Sequence, residues 1–494
     1  MLTGTANPRN GHDSNDRRGE RMKLDECVTR EEGSCSCLPN NFRFVILIIA
    51  LFCLTSISSN MFTVNIALIC MAPAPNVTIN SDFPTYQYTQ NEKGLLMWAV
   101  AVGSLIATFP FSWLYGHFGA RFVFFGAGIL SAVATALIPL TASMGIWPFT
   151  AMRLLQGIAY AADFAVIGVL TSHWASLQQH AIFISVLTCY SPLSLTFTNL
   201  FAGFLCNSFL GWPSIYYIHA AAGIVVFVLW LIFYNDWPDM HRRVSCAELE
   251  EIHQNKGNAH IEMGANVPVG AIMRNTTILS SWFCAFGYLL SALFLHMYLP
   301  IYIHFVLGFN VRDAGIYSSI ATFAYIPLKL IFGVLCDNIK SLSETTKVII
   351  FNTIAVAGPA VLYLLLACVQ NLPTLSIIVI ILIHMLFAAS GGGFYKCATL
   401  ASRQYSHFVI AAIQFIKCLC LFLAPTLFDV FVEYQESKTE WRSIFFIIAA
   451  VLALGALIFW RYADTQPATF TKRAPTRPRV SVVPKGSIAG LDTH

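Results

Sequence analysis

Charge is what this 494-residue chain has little of. Charged residues make up 11% of it against 56% apolar, and the mean hydropathy is +0.65. A soluble domain carries about 25% charged residues. The deficit excludes a water-soluble globular protein and points to an all-α polytopic membrane protein. The formal net charge is only +4, and bases do not cluster with aromatics, so nucleic acid is excluded as a partner. There is no Walker loop and no His-Glu-x-x-His metal spacing. No enzymatic activity, cofactor or metal is expected, and concentrative transport would need an ion gradient. No cleavable signal peptide is expected either, because the first apolar run begins after about forty polar residues. The 14 cysteines lack paired extracellular spacing. Cys53, Cys70, Cys284, Cys418 and Cys420 lie in apolar runs, where cysteine serves as a small hydrophobe. Cys35 and Cys37 precede the first run and read as unmodified thiols, with palmitoylation as the alternative.

What the chain does have is apolar runs of about 20 residues, each long enough to cross hydrocarbon. They fall at 43–71, 92–113, 122–141, 147–172, 181–205, 214–234, 278–305, 314–336, 348–369, 373–399, 407–432 and 442–462. Twelve transmembrane helices in two six-helix halves follow. Lysine and arginine are asymmetric between the loops, which places both termini in the cytoplasm. Arg121, Arg242, Arg243, Lys256, Arg274, Lys340, Lys347 and Arg403 join the basic tails inside; only Lys93, Arg312, Lys438 and Arg442 fall outside. The sequon at Asn76 then lies in the longest outer loop, where glycosylation is expected, and the one at Asn275 stays inside. The expected organisation is a disordered N-tail (1–41), a six-helix half (42–234), a cytoplasmic central loop (235–277), a second half (278–462) and a C-tail (463–494). The central loop contains one amphipathic piece, Cys246 to His253.

Placing a charge within hydrocarbon costs at least about 2.5–3.5 kcal/mol, so such residues usually face a cavity or a partner. The fourth run, Met152 to Trp174, carries both Arg153 and Asp163. Ten residues of helix separate them by about 15 Å, too far for direct pairing. Arg153 has the planar guanidinium suited to carboxylate or phosphate; snorkelling to the outer surface is the alternative. Asp163 is a candidate proton carrier, or else a structural carboxylate. Lys417 lies near the middle of the eleventh run, too deep to snorkel easily, and calls for an anionic substrate or a carboxylate such as Asp163. Lys329 and Lys396 are expected to snorkel to the cytoplasmic interface. The run Ser390-Gly-Gly-Gly-Phe394 favours close helix packing over a hinge. His219 and His384 read as packed histidines.

Several motifs appear together in order. They are Gly116-His-Phe-Gly-Ala-Arg121, Arg153-Leu-Leu-Gln-Gly157, Gly211-Trp-Pro-Ser-Ile215, Tyr298-Leu-Pro-Ile-Tyr302, Val306-Leu-Gly-Phe-Asn310, Gly333-Val-Leu-Cys-Asp337 and Glu440-Trp441. From about 43 to 463 the chain resembles the organic and inorganic anion branch of the major facilitator superfamily, which includes sialin, the vesicular glutamate transporters and the sodium–phosphate carriers. The resemblance implies the major facilitator fold, with spans 1, 4, 7 and 10 around a central cavity. It implies Arg153 as the family's fourth-span arginine. The glutamate seven residues later is Tyr160 here, and the acidic residue three positions after the arginine is Gln156. The first-span arginine is Thr63, with the nearby asparagine kept as Asn65. The second-span histidine and seventh-span arginine of the glutamate carriers correspond to Met97 and Tyr288, and the tenth-span Asn and Asp to Cys397 and Leu400. The scaffold resembles the family while much of its charged chemistry is replaced.

The expected function is secondary transport of small organic or inorganic anions by alternating access, coupled to protons or sodium. Arg153, Lys417, Asn65, Tyr288 and Gln414 are the expected substrate contacts, and Asp163 and His296 the coupling candidates. The alternatives are an uncoupled uniporter or exchanger, and a non-transporting receptor on a transporter scaffold. The bilayer is the plasma membrane or an endosomal or vesicular one.

Overall fold

The computed structural model describes residues 41–72, 83–176, 179–206, 208–241, 243–253 and 268–472. The N-tail, the Asn76 sequon, Cys35 and Cys37, the later part of the central loop and the end of the C-tail lie outside the described residues. Among those described are twelve helices long and apolar enough to cross a membrane. Spans 1 to 6 are Phe42–Met71, Gln90–Phe118, Ala120–Met144, Ile146–Trp174, Ile182–Cys206 and Pro213–Phe233. Spans 7 to 12 are Thr276–Val306, Val311–Cys336, Glu344–Val369, Pro373–Ser402, Phe408–Phe431 and Lys438–Tyr462. Every expected run appears, displaced by a few residues at its ends. The two faces of the bundle are called terminal, where Phe42 and Tyr462 lie, and distal.

Helix ends sit where backbone donors find acceptors. Thr89 and Glu92 form a capping box at the start of span 2. Asn275 and Asn310 cap spans 7 and 8. On the terminal face two carboxylates from distant sequence do the same work. Asp236 Oδ1 accepts from the amides of Ala120 (2.6 Å) and Arg121 (3.1 Å) at the start of span 3. Glu248, fully buried on the linker helix Cys246–His253, accepts from the amides of Phe42 (3.2 Å) and Arg43 (2.8 Å) at the start of span 1. A carboxylate there also meets the positive end of the helix dipole. Gly119 turns the chain at φ 74°, and a side chain on it would strike the Asp236 carboxylate. The motif Gly116–Arg121 is therefore a capped tight turn.

Glycines bring helices together. A Cβ on Gly103 would fall on the Leu154 carbonyl, and one on Gly157 on the Val100 carbonyl, so spans 2 and 4 meet backbone to backbone. Between the halves, a Cβ on Gly315 of span 8 would meet the Asn199 carbonyl of span 5 at 2.5 Å. In membranes this contact replaces a hydrophobic driving force that lipid does not supply. The Ser390–Gly393 run both packs and bends. It forms a 3-10 turn, Ala388–Gly392, and Gly393 lies against the backbone of Asn352.

The sequence reading of the cysteines needs one correction. Cys70 at the distal end of span 1 is disulfide-bonded to Cys206 at the distal end of span 5, with Cα atoms 6.0 Å apart. The partners are 136 residues apart, so no local spacing could announce the pair.

Candidate functional site

The halves touch along the distal side. Asn65 Nδ2 donates to the His296 carbonyl (3.0 Å), Trp98 Nε1 to Thr426 (3.1 Å) and Gln435 Nε2 to Gln90 (3.3 Å). Thr196 and Thr322 share a hydrogen bond of 2.9 Å, and Ser319 donates to the Thr196 carbonyl. Lys329 to Thr188 is the inter-half hydrogen bond nearest the terminal face among the described residues.

Arg153 stands at the distal side of span 4, 2% exposed. Its Nε donates to the Leu96 carbonyl (3.2 Å), and Nη1 donates to the Met61 carbonyl (2.8 Å) and to Gln156 Oε1 (2.7 Å). Nη2 lies 4.0 Å from Met97 Sδ. Gln156 in turn donates to the Asn60 carbonyl (3.0 Å) and Thr135 (2.7 Å). The guanidinium fork thus ties spans 1, 2 and 4 in this conformation. Sequence placed a cation in this helix, but its acceptors are backbone carbonyls of other spans, which no residue type betrays.

Further toward the terminal face, polar side chains of the two halves gather around Lys417. Lys417 of span 11 donates from Nζ to Tyr190 Oη at 3.1 Å, and Nζ stands 5.3 Å from the Tyr190 ring and 5.6 Å from that of Tyr160. Cation–π contact of this kind favours a desolvated ammonium. Asp163 is fully buried on span 4, neither carboxylate oxygen accepts a hydrogen bond, and Lys417 is within electrostatic range. Spans 4 and 11 thus bring together the charges that sequence could only suggest as partners.

Lys329 departs from expectation. It turns inward instead of snorkelling: Nζ donates to Thr188 at 2.8 Å and stands 5.7 Å from the Tyr325 ring. Thr188 lies where span 5 is interrupted between the helices His180–Leu187 and Tyr190–Cys206. Tyr325 and Tyr288 hydroxyls are 3.4 Å apart, and Ser390 donates to Tyr288 at 3.3 Å. Lys329 and Lys417 lie within electrostatic range of each other. Two ammonium groups, from spans 8 and 11, thus sit inside the bundle on hydroxyl partners. Lys396 does reach the terminal interface, 3.3 Å from Glu344, which also pairs with Lys347.

The remaining expected residues scatter. Tyr288 joins the polar cluster through Tyr325. Gln414 is half-buried one turn before Lys417 on the same helix. Asn65 lies closer to the distal face, bonded across the halves to span 7. His296 belongs to the same contact, its ring edge-on to Phe62 and stacked with His384. Tyr298 packs on Phe428, ring centroids 4.0 Å apart. At the tenth-span positions, Cys397 Sγ donates to the Asp464 carbonyl (3.6 Å).

Residues 43–425 match the sequence profile of the Major Facilitator Superfamily. The chain is 29% identical over 401 residues to a mouse protein described as a probable small intestine urate exporter, covering 79% of this chain and 80% of that one. It is 24% identical over 479 residues to mouse sodium-dependent phosphate transport protein 3, covering 91% and 98%. Human sialin is 23% identical over 382 residues, 76% of each chain. Among solved structures, a bacterial homologue of the lysosomal transporter Spinster in an inward-facing, occupied conformation superposes with a TM-score of 0.65 at 12% identity, covering 86% and 97%. The inward-open xylose transporter of E. coli superposes at 0.64 with 13% identity, covering 85% and 96%.

Proposed function

Because this chain belongs to the Major Facilitator Superfamily, whose members are transporters and not enzymes, we propose that it carries small organic or inorganic anions by alternating access between its two halves. The observation that carries the reading is the presence of two ammonium groups inside the bundle, Lys329 and Lys417, each on a hydroxyl of span 5 and within electrostatic range of each other. Two like charges in a low-dielectric site repel, and an anion between them turns that cost into attraction. The tyrosine hydroxyls of Tyr190, Tyr288 and Tyr325 would orient it. The relatives described as urate and phosphate transporters agree with an anion.

Lys417 is the proposed primary contact, with Lys329 added to the residues expected from sequence. Gln414 and Tyr288 complete the wall, and Asn65 joins at its distal end. Arg153 meets the anion in this reading only once spans 1 and 2 withdraw their carbonyls, that is, with the distal side open. The terminal face is proposed to be cytoplasmic, on the lysine and arginine asymmetry. Coupling is proposed to protons or sodium, with Asp163 and His296 as candidates. An uncoupled exchanger is the second reading, favoured by Tyr160 filling the space beside Lys417.

Uptake of radiolabelled urate and phosphate into proteoliposomes, with and without proton and sodium gradients, tests the proposal. Wild type is expected to take up at least one anion, and Lys417→Gln to lose that flux at normal membrane insertion. Equal flux in Lys417→Gln removes the lysine from the site. A rate indifferent to both gradients removes symport.

A further inference from the structure

A basic cavity opens on the terminal face, formed by the start of span 3, the end of span 6 and the segment after it. Its volume is about 220 Å³, and Arg121, Asn235, His241 and Arg243 line it with Ile232 and Met240. The last carbonyls of a helix have no partner within it, and basic side chains take up two of those of span 6. Arg121 Nη2 donates to the Leu231 carbonyl (2.9 Å), and His241 Nε2 lies 3.1 Å from the Phe233 carbonyl. The Trp230 indole donates back to the Arg121 carbonyl (3.2 Å), so the two spans hold the cavity wall in place.

These contacts leave most of the guanidinium donors over. An arginine has five N–H groups. The Leu231 carbonyl takes one from Arg121, and its Nε is buried without an acceptor. Arg243 lies with its guanidinium carbon 4.8 Å from the Phe233 ring centroid, and its side chain reaches no acceptor among the described residues. His241 is a wall and not a third cation: its Nδ1 accepts the Arg243 amide (3.2 Å) while Nε2 faces a carbonyl. Among the described residues no carboxylate lines the cavity. Asp236, next to Asn235 in the chain, has its Oδ1 on the amides of Ala120 and Arg121.

Apolar surface leads up to this charge. On span 6 Val225, Leu229 and Ile232 recur at helical spacing, and all three are exposed. Phe122 beside Arg121, and Met240 beyond the helix end, are exposed as well. In a bilayer such a stripe meets acyl chains, and it ends at the cavity. Trp237 is also exposed there, a residue type enriched at the level of lipid headgroups.

We propose that this cavity binds the headgroup phosphate of an anionic glycerophospholipid. The phosphate oxygens take the free N–H groups of Arg121 and Arg243, whose planar forks suit them, and the acyl chains follow the span 6 stripe. A zwitterionic headgroup brings an ammonium that finds no carboxylate in the cavity. Anionic lipids are concentrated in the cytoplasmic leaflet, which agrees with the orientation proposed for the terminal face. The site is separate from Lys329 and Lys417 and does not depend on what the protein carries.

Native mass spectrometry of the full chain, taken from bilayers of equal phosphatidylserine and phosphatidylcholine, tests the proposal. Wild type is expected to retain phosphatidylserine in preference; equal retention of the two lipids overturns the site. Arg243→Gln should lower the preference about tenfold, the worth of one charge-assisted hydrogen bond. Asn235→Asp, which keeps both arginines and adds a carboxylate to the cavity, should lower it as well. Preference retained in both variants overturns the proposal. Arg312→Gln is the matched control, an exposed guanidinium 4.7 Å from the Phe204 ring at the distal side. It should keep the wild-type preference, and a loss equal to that of Arg243→Gln reduces the effect to net charge and overturns the site. Inorganic phosphate should leave the bound phosphatidylserine in place; displacement by phosphate overturns the lipid assignment in favour of a free-phosphate site.

Discussion

Replacing Arg153 by lysine separates a structural clamp from a simple positive charge. The guanidinium donates to three acceptors at once, the Met61 and Leu96 carbonyls and Gln156 Oε1, at 2.8, 3.2 and 2.7 Å. These acceptors come from three different spans and converge on a planar fork. Lysine keeps the charge but has a single point donor, so it can serve one or two of them. Each stranded buried acceptor costs about 1–3 kcal/mol, and losing one or two gives about 1–6 kcal/mol. Arg153→Lys should therefore lower the thermal midpoint of the purified protein, followed by tryptophan fluorescence, and reduce its surface expression. Arg153→Gln should do the same or worse, since it also leaves a smaller side chain in a sealed site. An Arg153→Lys variant with wild-type midpoint and expression, altered only in urate or phosphate KM, would refute the clamp and leave the charge alone as the residue's contribution.

Other substitutions probe the scaffold around the polar cluster. Gly157→Ala should cost about 1–3 kcal/mol of overpacking, read as a lower thermal midpoint, because its Cβ has nowhere to go but the Val100 carbonyl. Peptide mapping without reduction should recover Cys70 linked to Cys206, and Cys70→Ser should lower the midpoint while freeing one alkylatable thiol at Cys206. Glu248→Gln weakens the cap on span 1 by about 0.5–2 kcal/mol, which hydrogen exchange at the amides of Phe42 and Arg43 would register as faster exchange. Lys329→Met should raise the KM for the transported anion with little change in midpoint, because Lys329 donates to a single hydroxyl; an unchanged KM would return it to a structural role.

The spans were legible because crossing hydrocarbon is a local demand on length and polarity, satisfied residue by residue. The motif Gly116–Arg121 was legible only as part of the resemblance; that it is a tight turn capped by Asp236, from beyond span 6, emerged with the packing. The polar cluster was half legible. Lys417 stood out because a midplane ammonium has no interface within reach. Lys329 did not, because distance along a helix says how far a side chain is from the surface and nothing about which way it turns. Its partner Thr188 sits at a break in span 5 that an uninterrupted apolar run conceals. The histidine pair was hidden for the same reason: His296 and His384 are single residues on different helices, and only packing stacks their rings.

Sequence by itself determined the class, the twelve helices and the presence of charges that hydrocarbon does not tolerate alone. These follow from composition and from the 1.5 Å rise of a helix against a fixed membrane thickness. Tertiary structure alone decided the partners. It sealed Arg153 among carbonyls of spans 1 and 2, turned Lys329 toward Thr188, joined Cys70 to Cys206 and set His296 on His384. The reason is physical: each of these contacts links residues far apart in the chain, through directional bonds or ring faces whose geometry exists only once the helices have packed.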